Sequence, residues 1–492
     1  MNLYRVPRRR HVASASLLAL SLLLGLSGCG GDDSSTAPAP APTPAPAATI
    51  AFTSAGTAIV PENSAGAIYT AAATHSGGSA VIFAITGGND AADFTIQPTG
   101  QLSFAQAPDF ERPADADQDN VYLVTLQASS GALSARLDVA ITVFNDKEGI
   151  AVRRIATGLT DPVCIDTLLR DPTTGSDVTG QIAVGERGGK IYRIDGGSGA
   201  RAQIADVFEG RTAAELIECV SHRAQPFYSG LFGVVREANG FTAMDRYDRG
   251  RFGDSVMLLP PGAPSVPIKL ISASASALYA AIGDPTGSSA QSAASPLGKL
   301  FQLIERDPYA GASLRVPPFD ARLAGIGLRE PGGGSGAGSF IVLSDRGGSR
   351  EHELNVFTPS STVLDFGWPF REGSATLSDA GSATLYNPAV TYLFGRERRQ
   401  GLGIVAGRPY AGPATALRDR YVFADRNGLI WSIPLRTLQD GSASPAGVLE
   451  NRTADFAPDA GSIDSPVGFA TDGSGRFYIL DSDGEVFRVE GS

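Results

Sequence analysis

The chain has 492 residues, 42% hydrophobic and 18% charged, with a formal net charge of −11. These values exclude a disordered polyelectrolyte and a multi-span membrane protein, and the acidic balance argues against nucleic-acid binding through a general basic surface. Its 59 glycines and 32 prolines, with lysine only at Lys147, Lys190, Lys269 and Lys299, favour short strands and many turns, so a mostly β protein of at least two domains is expected.

Residues 1–28 read as a secretory signal: Arg5, Arg8, Arg9 and Arg10 precede the apolar run Ala13 to Leu26, which is too short for a membrane span. The run closes in Leu26-Ser27-Gly28-Cys29, which resembles the bacterial lipobox. That resemblance implies cleavage before Cys29 and lipid on its sulfur and amine. Buried acyl chains, at about 0.8 kcal/mol per methylene, would then hold the protein to the cell envelope. Gly30 follows, rather than the aspartate that by resemblance retains lipoproteins in the inner membrane, so the outer membrane is expected, on its periplasmic or surface face. Residues 29–48, with alternating Ala and Pro from Ala37 to Pro42, form an extended spacer without a core. An oxidising compartment favours a disulfide between Cys164 and Cys219; two buried thiols are the other reading. Only His75, His222 and His352 remain in the mature chain, with no close pair, which speaks against a zinc hydrolase.

Residues 49–149 alternate short strand segments, such as Val81 to Ile85, Val121 to Leu126 and Leu137 to Val143, with Gly, Asn and Asp clusters. This pattern predicts a β-sandwich. Its acids gather in turns, and hard oxygen ligands suit calcium. Pro61-Glu62-Asn63, Asp109-Phe110-Glu111 and Asn145-Asp146 together resemble a cadherin repeat. The resemblance implies an adhesion module in which Glu62, Asp109, Glu111, Asn145 and Asp146 bind calcium. In that family the following repeat supplies further acids. Only one repeat is present here, and Ala128-Ser129-Ser130 stands where an Ala-x-Asp is usual, so a weak extracellular type of site, about millimolar or somewhat tighter, is expected.

Residues 150–492 repeat a phrase of two strands joined by an Asp/Gly turn. Gln181 to Val184 precedes Lys190 to Ile194, Leu278 to Ile282 precedes Lys299 to Leu303, Tyr421 to Phe423 precedes Leu429 to Ile433, and Gly475 to Leu480 precedes Glu485 to Val489. Repetition around a ring removes exposed sheet edges, and at about 50 to 57 residues per blade this length predicts a six-bladed β-propeller. The fold class expected for the whole chain is therefore all-β, a sandwich followed by a propeller.

Several phrases in order resemble the soluble quinoprotein glucose/sorbosone dehydrogenase family: Val184-Gly185-Glu186-Arg187, Leu278 to Asp284, Ala290-Gln291, Leu297 to Leu300, Gly327-Leu328-Arg329-Glu330-Pro331, Ser344 to Gly347, Glu353-Leu354-Asn355 and Phe366-Gly367-Trp368-Pro369. The resemblance implies pyrroloquinoline quinone (PQQ) over the central channel, calcium polarising it, and a base that takes the sugar hydroxyl proton. Asp284 corresponds to the acid that orients the base, and Arg329 to the arginine beside the quinone.

The family's base is a histidine roughly twenty residues before that aspartate, where this chain has Pro264 to Leu270 and no histidine. His222 falls at a propeller-core position and His352 in a loop. Lys269 could replace the base only if burial lowered its pKa. Glu330 replaces the family's asparagine and sets a negative charge where the anionic cofactor would lie; at about 4 Å and an effective dielectric near 20, two like charges cost about 4 kcal/mol. The basic group Arg396, Arg398 and Arg399 either offsets that charge or forms a solvated loop. The expected function is thus a propeller that has lost its base and binds a carbohydrate or cell-surface protein; the alternative is a PQQ- and calcium-dependent aldose dehydrogenase.

Overall fold

In the sandwich, alternation along each strand sends one set of side chains inward. The computed structural model describes residues 47–491 apart from 209–212, 224–228, 249–250, 275–276, 306–318, 380–383 and 446. The leader 1–28, Cys29 and residues 30–46 of the spacer lie outside the described residues. One sheet orders Thr57–Pro61, Leu133–Phe144, Val121–Ser130 and Ile82–Gly87; Thr57–Pro61 runs parallel to its neighbour and the other pairs are antiparallel. The facing sheet orders Ala67–Thr70, Gln101–Phe104 and Phe94–Ile96. Tyr122, Val124 and Leu126 point between the sheets with Val139, Ile141 and Val143, while Leu123 faces solvent, as a period of two requires. The Phe94 and Phe104 rings stack at 4.8 Å, and Tyr122 meets Phe104 edge-on at 5.0 Å.

The propeller consists of six blades, each built on a four-stranded antiparallel sheet, the third extended by Leu364–Asp365 pairing parallel with Phe319–Ile326; the innermost strands are Pro162–Thr167, Ala213–Arg223, Ile268–Ser274, Pro331–Ala337, Ile404–Pro409 and Pro466–Thr471. Each innermost strand packs on the next, and the sixth packs on the first, so the ring is closed. The outer strand of blade 6 is Ile150–Ala156, which pairs antiparallel with Val486–Gly491 and ties the start of the ring to its end. Each blade is covered on both faces, so its strands read as continuous apolar runs rather than alternating ones. Ala277–Ile282 is buried at every position. Six apolar clusters result, each shared by two adjacent blades.

A disulfide of 2.05 Å joins Cys164 to Cys219, linking the innermost strands of blades 1 and 2. Gly185 makes room for it, since a Cβ there would stand 2.6 Å from the Cys164 sulfur. His352, expected in a loop, instead lies in the strand Glu351–Phe357, buried between the rings of Tyr392 and Phe394 at 5.0 and 5.4 Å. Its imidazole is flat enough to fill an aromatic cluster, an environment that the charged neighbours Glu351 and Glu353 conceal in the sequence.

Candidate functional site

All six innermost strands contribute to a cup of about 500 Å³ at one mouth of the ring, whose polar lining includes Asp161, Arg187, Glu215, Lys269 and Arg426. Arg187 is engaged by Asp161 at 2.8 Å and Glu215 at 3.2 Å. Arg426 is exposed in the cup and, among the described residues, has no carboxylate at ion-pair distance. Below the cup the channel narrows to about 50 Å³. Two ion pairs cross it: Lys269 Nζ lies 2.6 Å from Glu218 Oε2, joining blades 3 and 2, and Arg408 binds Asp166, joining blades 5 and 1. Burial pushes both carboxylic acids up, and the facing cations pull them back. Lys269, on the segment where the resemblance expects the base, is thus tied to a buried carboxylate.

Asp284 is placed elsewhere. It is 1% exposed, and its carboxylate accepts from Thr286 Oγ1 at 2.7 Å, Gly287 N at 3.2 Å and Ser289 N at 2.7 Å. Its carbonyl accepts from Trp368 Nε1 at 2.8 Å. The Arg329 guanidinium lies over the other part of that indole, 5.3 Å from the ring centroid. Gly283 permits the approach of the two loops, because a Cβ there would stand 2.6 Å from the Arg329 carbonyl oxygen. Gln291 donates to Asp365 at 3.0 Å and to the Trp368 carbonyl at 2.9 Å, and the buried Lys299 donates to the carbonyls of Ser289, Ala290 and Leu297 at 2.9, 2.9 and 2.7 Å. The phrases from Leu278 onward therefore converge on one knot between blades 3 and 4, while Val184 to Arg187 lies in blade 1. Within it many polar groups satisfy one another, but Arg329 Nε, Arg346 Nε, Glu353 Oε2 and Asn355 Oδ1 are buried without a hydrogen-bond partner.

Arg329 also binds Glu330 at 2.8 Å, and Glu330 binds Arg346 at 2.9 Å. The negative charge expected to oppose an anionic cofactor is already neutralised by two guanidiniums, one of them sixteen residues away in sequence and invisible to a local reading. Neither histidine approaches Asp284 at contact distance. His222 sits between blades 2 and 3 with Nδ1 2.8 Å from Ser272 Oγ, and burial pushes its imidazole down to about 4. His352 Nδ1 accepts from Gly347 N at 3.2 Å. Asp284 and Arg329, the residues that the resemblance assigns to PQQ, do not line the cup; the Asp284 carboxylate is engaged by its own loop, while Arg329 binds Glu330 and keeps its Nε without a hydrogen-bond partner.

A second group of side chains lies where the sandwich meets the propeller. Glu62, Asp109 and Glu111 each offer a carboxylate oxygen within 4.8 Å of the others. Burial raises all three, Glu111 to about 9 with the Asp455 carboxylate as the next cause. Asn145 Nδ2 donates to Glu111 Oε1 at 3.0 Å and to Asp455 Oδ1 at 2.5 Å. Asp146 reaches the group through its backbone, donating to Glu62 at 3.0 Å, while its exposed carboxylate accepts from Glu148 N at 2.8 Å. An all-oxygen set of this kind fits calcium. The propeller's Arg452 enters from the other side, 2.5 Å from Glu148, 2.6 Å from Glu450 and 3.1 Å from Asp455. The basic loop also faces the sandwich: Arg399 donates to the Glu111 carbonyl at 3.4 Å and Arg398 to the Gln118 carbonyl at 3.5 Å, so neither a cofactor charge nor solvent alone occupies them.

No family model matches the chain. Halomucin of Haloquadratum walsbyi is 43% identical over 74 residues, which are 14% of this chain, and the chain spans about 1% of that protein's length. A solved glucose dehydrogenase is 18% identical, covers 70% of this chain and 99% of its own, and superposes with a TM-score of 0.50. The propeller shares that fold. The soluble aldose sugar dehydrogenase from Escherichia coli, solved in its apo-form, is 15% identical over 70% of this chain and 100% of its own, with a TM-score of 0.48.

Sequence reasoning missed Lys269–Glu218, Arg408–Asp166, Arg346, Arg452 and Asp455 as site-forming residues. Lys269–Glu218, Arg408–Asp166 and Asn145–Asp455 join different blades or modules, and Arg346 reaches Glu330 across sixteen residues of one blade, so no local pattern announces them.

Proposed function

We propose that this chain is a lipid-anchored protein of the cell envelope, held at the outer membrane through Cys29. Its sandwich acts as a calcium-binding, cadherin-like adhesion module, and its dehydrogenase-like propeller binds a carbohydrate in the cup without oxidising it. One observation carries the reading of the propeller: at the segment where a base is expected, the cup presents Lys269 paired with Glu218 at 2.6 Å, while Asp284 is enclosed in its own loop. An ammonium held against a carboxylate donates hydrogen bonds, as do Arg187 and Arg426 around it, and such donors suit the hydroxyl and ring oxygens of a sugar. Loss of a general base removes about 100- to 10,000-fold in rate.

The test is binding of the delipidated chain to an immobilised panel of mono- and oligosaccharides, compared with Arg426→Ala. Retention on at least one glycan, lost in the variant, is expected. Equal retention by both proteins, or none by either, overturns the carbohydrate assignment and leaves a cell-surface protein as the ligand to be sought.

A further inference from the structure

The charges around the cup do not cancel. Asp161 and Glu215 are answered by Arg187 at 2.8 and 3.2 Å, with Arg236 a further 3.9 Å from Glu215, and Lys269 is answered by Glu218 at 2.6 Å. Arg426, directly after the strand Arg420–Asp425, is left over. Its neighbour Asp425 is buried and turned inward, where its carboxylate accepts from Leu402 N at 2.8 Å, Asn427 N at 3.1 Å and the Tyr392 hydroxyl at 2.7 Å. Glu330 is divided between Arg329 and Arg346. Gly403 lets a second guanidinium run alongside: a Cβ there would stand 3.1 Å from Arg426 Cδ, 3.3 Å from Arg346 Cδ and 3.3 Å from Arg346 Nε, and that Nε has no hydrogen-bond partner. Partial desolvation, and then the like charge of Arg346, hold the Arg426 guanidinium below its ordinary value, with Glu330 and Asp425 opposing. An anion at this wall of the cup would relieve the repulsion.

We propose that the carbohydrate bound in the cup carries a carboxylate, as a terminal uronic acid residue, and that Arg426 is the residue that selects it. The proposal rests on the carbohydrate reading above and narrows its substrate class. A planar guanidinium with free donors takes a carboxylate through two parallel hydrogen bonds, whereas a neutral hexose offers it no counter-charge. Ser265, Ser465 and Ser482 line the same cup and offer hydroxyls to the rest of the sugar ring. Beneath it the channel narrows to about 50 Å³ and is crossed by the Lys269–Glu218 and Arg408–Asp166 pairs. The ligand therefore enters at the mouth, and the cup takes the end of a sugar chain rather than its middle. The formal net charge of −11 repels a polyanion at long range, so the site suits one negative charge set against the arginines.

The experiment titrates the delipidated chain, as wild type and Arg426→Gln, with matched oligosaccharides of the gluco, galacto and manno series that end in the uronate, the neutral hexose or the hexose 6-sulfate. In at least one series the uronate-ended ligand should bind about tenfold or more tightly than its neutral counterpart. Arg426→Gln should abolish that difference, and raising salt from about 0.05 to 0.5 M should shrink it severalfold. Among the described residues Arg426 makes no ion pair, so the variant should melt at the wild-type temperature, which shows that a lost preference is a lost contact. Equal binding of uronate and neutral sugars overturns the proposal and leaves the carbohydrate reading standing. A preference that survives in Arg426→Gln overturns the role of Arg426, and tighter binding of the sulfate than of the uronate overturns the carboxylate. Binding of none of the three overturns the carbohydrate reading itself.

Discussion

Replacing Lys269 by methionine isolates the ion pair beneath the cup. The substitution keeps the volume of the side chain and leaves Glu218, 7% exposed, without the ammonium that stands 2.6 Å away. Removing one member of a buried pair costs on the order of 3–5 kcal/mol, because the remaining charge is uncompensated. With about 340 propeller residues and roughly 2.1 cal/mol/K of unfolding entropy for each, that loss lowers the melting temperature by about 4–7 °C.

The defect also has a defined pH dependence. Burial already raises Glu218 above its ordinary value, and without Lys269 it rises further. An acid raised in the folded state destabilises when pH is above its unfolded value and is neutral in both states below it. The variant's deficit is therefore larger at pH 7.5 than at pH 5 and disappears as pH falls below the unfolded value of 4.5. Calorimetric melts of wild type, Lys269→Met, Glu218→Gln and the double variant, at pH 5 and 7.5, provide the assay. The double variant should recover most of the loss. A pH-independent deficit, or strictly additive losses, would refute the coupling and free Lys269 for another role.

Three other outcomes follow from the same geometry. Replacing Cys164 and Cys219 together by serine removes a link spanning 55 residues, which on loop-closure entropy is worth about 4 kcal/mol; an unchanged melting temperature would show that the ring constrains these strands without it. Asp284→Ala frees the donors of Thr286, Gly287 and Ser289 and strips charge from beside the buried Lys299, so a loss of about 3 kcal/mol in stability is expected with glycan retention intact, and lost retention in a fully folded variant would place Asp284 in the cup after all. His222, pushed from 6.5 to about 4 by burial, should remain neutral by NMR from pH 8 down to pH 5; being depressed in the folded state, it withdraws about 3 kcal/mol as pH falls from 6.5 through 4, and protonation near 6.5 would contradict its burial.

The blades were legible because each is buried on both faces, which leaves continuous apolar phrases such as Leu278 to Ile282 punctuated by Asp/Gly turns. The sandwich was legible for the opposite reason: Val121 to Leu126 alternates, as a strand covered on one side must. Ring closure by Ile150–Ala156 on Val486–Gly491 was not, since pairing across the whole propeller leaves no local trace. The phrases around Asp284 and Arg329 marked a real cluster, but residue identity could not show whether Trp368 and Lys299 would absorb their polar groups or leave them facing a ligand. Likewise the acids of Asp109-Phe110-Glu111 were visible, while the partner that answers them, Asp455, is brought in only by the docking of one module on the other.

The central claim, that the cup binds without oxidising, is met most directly by dye reduction. The delipidated chain is mixed with PQQ and calcium, and a panel of aldoses is followed for turnover. The account predicts no reduction above that of the free cofactor. Sustained turnover, abolished by Asp284→Ala or Arg329→Ala in folded protein, would contradict it and establish a quinone-dependent aldose dehydrogenase in its place.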